Sequence, residues 1–227
     1  MPDTIAIMAI MAITKTKTIR KTRRKSKSVK TNVKTNVKSN TKLLTKTINT
    51  NRETLIPIYK LTPSQIGQLT YITCNKTTMK HIGTGKLWKR VDILHFIKDE
   101  LAQQRKKVED REYFTYVMIS ASGKVIGLIS GRKNIKLLGN DKKSQYDILL
   151  RMFIGALETG KGFGKSIISK FATLYKKMIG GNNANLISDI AVENLASIKI
   201  HDANDFNFIK QIKYPNGKFY KRYVKKI

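Results

Sequence analysis

Along residues 52–227 the apolar positions change period several times, and each change marks a new element. Residues 55–61 (LIPIYKL) predict a short strand, which Pro57 confines to an edge or a start because proline cannot donate to a ladder. Thr62, Pro63 and Ser64 open a helix running to about residue 73, since Thr62 can cap and Pro63 suits the first turn. Residues 87–109 carry Leu87, Val91, Leu94, Ile97 and Leu101 at helical spacing and predict a second helix. Two β-rich runs follow, 113–120 and 124–132, joined by the turn signal Ala121-Ser122-Gly123. A polar loop over 133–145 leads to an apolar strand at 146–154 (YDILLRMFI). A helix over 163–178, a strand at 185–191 and a helix at 193–204 come next. A terminal hairpin pairs 206–214 with 218–224 around Pro215-Asn216-Gly217. The order β-α-α-β-β-β-α-β-α-β-β predicts an α/β (α+β) domain.

The helix over 163–178 is preceded by Glu-Thr-Gly-Lys-Gly-Phe-Gly-Lys-Ser, residues 158–166. Glycines at a helix start leave bare N–H groups where the helix dipole is positive, and Lys161 and Lys165 add charge. This predicts a phosphate site. A P-loop needs Gly-x-x-x-x-Gly-Lys-Ser/Thr, but Thr159 stands at its first glycine and starting from Gly160 leaves the loop one residue short. A dinucleotide fingerprint needs Gly-x-Gly-x-x-Gly early in a βαβ unit, whereas this spacing is tighter and late. A glycine-rich turn without a ligand is the plain alternative.

Thr159-Gly160-Lys161-Gly162-Phe163-Gly164 resembles Gln/Arg-x-x-Gly-x-Gly/Ala, the pyrophosphate loop of the GNAT superfamily of acetyl-CoA-dependent N-acyltransferases, with Thr159 replacing Gln or Arg. Residues 187–206 resemble the family's second motif: Asn194 aligns with its Asn, Ile190, Ser197, Ile200 and Phe206 take the Val, Ala, Leu and Phe positions, and His201 and Asp205 replace its Tyr and Gly. The resemblance covers roughly residues 55–224. It implies a mixed, mostly antiparallel sheet with helices on both faces and two central strands, 146–154 and 185–191, that splay around the cofactor.

For function, the resemblance implies an N-acetyltransferase that binds acetyl-CoA and acetylates an amine of an unidentified acceptor. The cofactor contacts would come from Ile154, Thr159, Gly160, Lys161, Gly162, Phe163, Gly164 and Lys165. The N–H near Ile154 would polarise the thioester carbonyl, aimed by a bulge at Ile154-Gly155. His201 would protonate the departing thiolate, or be a helix-face histidine without catalytic weight. Asn194 would bind cofactor or intermediate, or cap the helix that begins there. Glu112, Asp147, Glu158 and Asp189 lie near strands that could border a cleft, and none stands out as a general base. No metal is expected, because His81, His95, His201 and Cys74 lack ligand spacing.

Charge adds a second theme. The chain carries a formal net charge of +30 over 227 residues. Residues 1–50 hold 13 Lys or Arg and one acid; residues 51–227 hold the other 32 and 14. Residues 1–51 are low in complexity, with KTNV-KTNV-KSNT at 30–41 and RKTRRKSK at 20–27, and predict a disordered basic arm ahead of a domain at 52–227. Such charge draws polyanions, so residues 14–51 are expected to meet nucleic acid non-specifically, although AT-rich codon bias yields the same composition. The alternative function is a catalytically weakened, basic structural protein of the same fold that coats nucleic acid in a nucleoprotein particle. One cysteine and no membrane-length apolar run fit a reducing intracellular compartment, cytoplasm or nucleus.

Overall fold

The computed structural model describes residues 53–133, 144–215 and 217–227. The arm assigned to residues 1–51, most of the 133–145 loop and Asn216 of the hairpin turn lie outside the described residues.

Seven strands form one sheet in the order β1-β2-β3-β4-β5-β7-β6. They are β1 Thr54–Pro57, β2 Tyr113–Ile119, β3 Val125–Arg132, β4 Ile148–Ile154, β5 Asn185–Ala191, β6 Asn207–Lys213 and β7 Phe219–Lys226. The helices are α1 Pro63–Thr73, α2 Lys76–Met79, α3 Arg90–Gln104, α4 Phe163–Met178 and α5 Leu195–Asp202. Every ladder is antiparallel except β4–β5.

The strands alternate, so each sheet face has its own core. Phe114, Tyr116 and Met118 of β2 pack with Ile167, Ile168, Phe171 and Tyr175 of α4. Val117, Leu128 and Phe153 pack on the other face with Ile66 and Leu69 of α1 and Ile93 of α3. Helices therefore cover both faces, as expected.

Four boundaries differ from the sequence reading. The first strand stops at Pro57 and continues as a 3-10 turn, Ile58–Lys60, where the proline ring sets the backbone at φ −57°. An unforeseen short helix, α2, is capped by Asn75, whose side chain accepts the Thr78 N–H. The second long helix starts at Arg90, not 87, because Trp88 N–H donates to Thr73 O and its own carbonyl accepts from Thr73 Oγ1, tying it to the end of α1. It stops at Gln104, whose carbonyl accepts from Arg111, and a separate 3-10 turn forms at Val108–Asp110.

The parallel pair controls the site. β4 and β5 pair only at Ile148↔Leu186 and Leu149↔Ile187 and then part. Buried Asp147 clamps the paired end, accepting from Asn185 N at 2.6 Å, Asn185 Nδ2 at 3.2 Å and Ser144 N at 3.0 Å. No register shift occurs along β3–β4 up to Ile154, so the expected bulge at Ile154-Gly155 is absent; the observed shifts lie at Met118/Ile119 and Phe208/Lys210.

Candidate active site

The opening between β4 and β5 widens towards their C-terminal ends, and the loops that follow both strands sit at that end. Gly155 N–H bonds to Ile126 O, which fixes the alternation of the β3–β4 ladder. By that alternation Met152 and Ile154 turn their N–H and C=O groups away from β3, into the opening. The N–H near Ile154 thus faces the gap without a bulge, because the ladder already aims it.

After β4 the chain makes a 3-10 turn, Ala156–Glu158, and reaches the glycines. Gly160 (φ +78°) and Gly162 (φ +82°) are left-handed, exposed and open to solvent where a Cβ would project. Gly162 is the N-cap of α4, and its carbonyl accepts from Lys165 and Ser166. The N–H groups of Gly160 to Gly164 donate to no group among the described residues. A row of free N–H groups at the positive end of a 16-residue helix is an anion cradle.

The side chains around this cradle divide their work. Glu158 is nearly buried and paired with Lys124 and, at 2.9 Å, with Lys161. Hydrogen bonds from those two lysines hold its carboxyl below the usual range. Lys161 is therefore partly neutralised, while exposed Lys165 keeps its charge free of any ion pair among the described residues. Thr159 turns its hydroxyl back to Ala156 O at 2.8 Å. Phe163 is half-buried against the α4 core. Gly164 is buried, and a Cβ there would lie 2.6 Å from Ile200 Cδ1 of α5, so this glycine serves close helix packing as well as offering its N–H.

Across the opening stands α5. Asn194 caps it, its Oδ1 accepting from Ser197 N at 3.2 Å, while its amide nitrogen donates to no described group. Asn194 and His201 line a cleft of about 250 Å³ between β4 and β5, together with Arg151, Ser188 and Asp189. Asp189 is held by Arg222 through two 2.8 Å bonds and by the Tyr214 hydroxyl at 2.7 Å. Asp147 is the strand clamp, Glu158 holds lysines and Asp189 holds an arginine. Glu112 enters no lining of this cleft.

His81, which sequence spacing did not single out, forms part of the cleft's outer wall. It lies 4.0 Å from Glu193, the residue before Asn194, beyond hydrogen-bond range. No periodicity marks it, because it belongs to the irregular segment between α2 and α3. Among the described residues no group of three His, Cys, Asp or Glu is placed to hold a metal.

No protein-family model matches the sequence. No curated protein matches it either. Solved structures do. Aminoglycoside acetyltransferase AAC(6')-Ib with coenzyme A is 15% identical, with a TM-score of 0.59 over 76% of this chain and 94% of that one. The ribosomal L7/L12 alpha-N-protein acetyltransferase RimL with coenzyme A is 15% identical, with a TM-score of 0.61 over 79% and 96%. Spermidine N-acetyltransferase from Vibrio cholerae with CoA and spermine is 14% identical, with a TM-score of 0.56 over 77% and 94%. This chain has the GNAT fold.

Two departures from the GNAT motif now have a structural account. Asp205, at the glycine position, is the one non-glycine residue with positive φ among those described, at +59°. The backbone keeps the conformation a glycine would supply, and aspartate tolerates it. His201, at the tyrosine position, is 3% exposed. Its Nδ1 lies 2.8 Å from Ser197 O, which can only accept, so Nδ1 carries the proton; Nε2, 2.9 Å from Ser188 Oγ, accepts. Burial pulls the ring's pKa down. In this arrangement both nitrogens are engaged inside the protein, and the ring braces α5 against β5 with no proton to release into the cleft.

Proposed function

We propose that this protein is an N-acetyltransferase that moves an acetyl group from acetyl-CoA to an amine. One observation carries the reading: free N–H groups around left-handed Gly160 and Gly162 stand at the same end as the parting of β4 from β5. That pairs a diphosphate cradle with a slot for an extended chain. The residues fit coenzyme A, since the cradle is exposed and free of side-chain obstruction. The three neighbours described above, all solved with CoA, support it.

Bound there, acetyl-CoA supplies an activated acyl thioester. The chain contributes orientation through the cradle and the slot. The Met152 and Ile154 N–H groups are placed to stabilise negative charge developing on a carbonyl oxygen in the gap. Asn194 offers its amide N–H₂ to the same space. His81 is the imidazole on the cleft wall that we assign to take the proton an attacking amine must lose. His201 acts as a positioning residue by fixing α5 and hence Asn194.

Titration calorimetry with acetyl-CoA tests the proposal. The wild-type protein is expected to bind and Gly162→Asp to lose most of that affinity; absence of binding by the wild type would overturn it. The alternative of a basic coat protein is favoured by no observation among the described residues.

A further inference from the structure

Beside the cleft just described, the α1/α3 face of the sheet is partly uncovered where β3 ends and β4 begins. Register places the side chains there. Tyr113 opposes Arg132 and Arg132 opposes Leu149; one step along, Thr115 opposes Ser130 and Ser130 opposes Arg151. Directly opposed residues share a face, so these form two adjoining rows. The next row, Val117, Leu128 and Phe153, is buried under α1 and α3. α3 reaches the second row at Thr115, whose N–H donates to buried Glu100, but Arg132 and Arg151 are left exposed.

This shelf walls a second cleft of about 340 Å³. Trp88, Phe96 and Phe153 form an aromatic floor, with Trp88 5.5 Å from Phe96 and 6.1 Å from Phe153 between ring centroids. Arg132, Arg151 and Lys86 supply its charge. The Arg132 guanidinium carbon lies 5.0 Å from the centre of the Tyr113 ring, a cation–π contact. Arg151 has no ion-pair partner among the described residues. Lys86 stands 3.9 Å from Asp92, whose carboxylate also accepts the Lys89 N–H. No lining residue of this cleft is acidic. It opens into the first cleft through Arg151, Leu149 and Met152, which line both. The sole acid of the first cleft, Asp189, is already neutralised by Arg222.

An amine that is itself a polycation would meet three cations here and no free carboxylate. We propose, resting on the acetyltransferase reading, that the acceptor is a small amine that also carries an anion. Its carboxylate or phosphate is held by Arg151 and Arg132, its flat apolar body lies on Trp88, and its nitrogen points to the β4–β5 gap. Guanidinium groups bind either anion through paired N–H donors.

Trp88 is the chain's one tryptophan, so its fluorescence reports on this cleft without need of turnover. Phenyl phosphate is expected to change that signal at about tenfold lower concentration than phenethylamine, and Arg151→Glu to remove or reverse the preference. Lys176→Glu, an equal charge change on exposed α4, should leave it as it was. In thiol-release assays L-phenylalanine is expected to outperform phenethylamine, and O-phosphoethanolamine to outperform ethanolamine and spermidine; which pair separates more tells carboxylate from phosphate. Tighter binding of phenethylamine or spermidine, or phenyl phosphate binding that survives Arg151→Glu, overturns the proposal. So does preferential acetylation of spermidine. Failure of acetyl-CoA to bind sinks the acetyltransferase reading instead, and calorimetry separates the two.

Discussion

The two ends of this site are built from different material. The proposed cofactor end is made of main chain: N–H groups of residues 160–164 and of Met152 and Ile154, fixed by a helix start and a strand ladder. The proposed acceptor end is made of side chains: Arg132, Arg151, Lys86 and Trp88, brought from two strands and one loop. A backbone site demands only that certain side chains be missing. A side-chain site demands that particular ones converge. The two should therefore fail independently, and substitutions can separate them.

The largest effect is expected at the cradle. Gly162→Asp places a carboxylate among the N–H groups, where a diphosphate would meet a like charge, and like charges brought together cost several kcal/mol. Acetyl-CoA affinity should fall by about 100-fold or more by calorimetry, with the Trp88 response to phenyl phosphate unchanged. His81→Gln should lower kcat/KM by roughly 100-fold with acetyl-CoA binding kept. An unchanged kcat/KM would remove His81 from the assigned role. Arg151→Glu should reverse anion preference by about tenfold and lower acetyl-CoA affinity far less than Gly162→Asp does.

Smaller effects concern the frame that joins the two ends. Gly164→Ala drives a Cβ to 2.6 Å from Ile200 Cδ1. Overpacking of this kind costs about 1–3 kcal/mol, and Tm should fall by roughly 2–4 °C for each kcal/mol. An unaltered Tm would mean that α4 and α5 can slide apart. His201 gives the smallest and pH-dependent effect. Its folded pKa lies below the ordinary 6.5 because of burial, so below that pH the unfolded chain takes up a proton the folded ring refuses. Stability attributable to it should fall as pH drops through 6.5, by at most about 1.4 kcal/mol per pH unit, until the lowered folded value is reached. Tm of His201→Gln, followed from pH 7.5 to 5, should decline less than that of the wild type.

This contrast also explains what could be read before any coordinates. All seven strands were legible as short apolar or aromatic runs bounded by turn signals, the 163–178 helix by its apolar spacing, and the cradle because glycine before a helix has a backbone meaning. Asn194 was legible as a cap for the same local reason. The shelf was not. Lys86, Tyr113, Arg132 and Arg151 are spread over 66 positions; the register of β2, β3 and β4 puts the last three side by side, and Lys86 joins them from the segment before α3. In a chain with 45 Lys and Arg, no single arginine stands out. His201 stayed open between proton donor and helix-face residue, because its partners, Ser188 and Ser197, are fixed by the packing of α5 on β5. The start of α3 was placed early because the tie between Trp88 and Thr73 is tertiary and outweighs helical spacing.

The Asp147 clamp makes the central pair behave as a pair of compasses. With pairing ending at Leu149 and Ile187, the leg reaching Ile154 extends about 16 Å from the pivot at ordinary strand rise. A rotation of roughly 5° at that pivot would shift the tip by about 1.5 Å, half a strand rise. The aperture is thus set far from where it is used, by one carboxylate that touches neither proposed ligand.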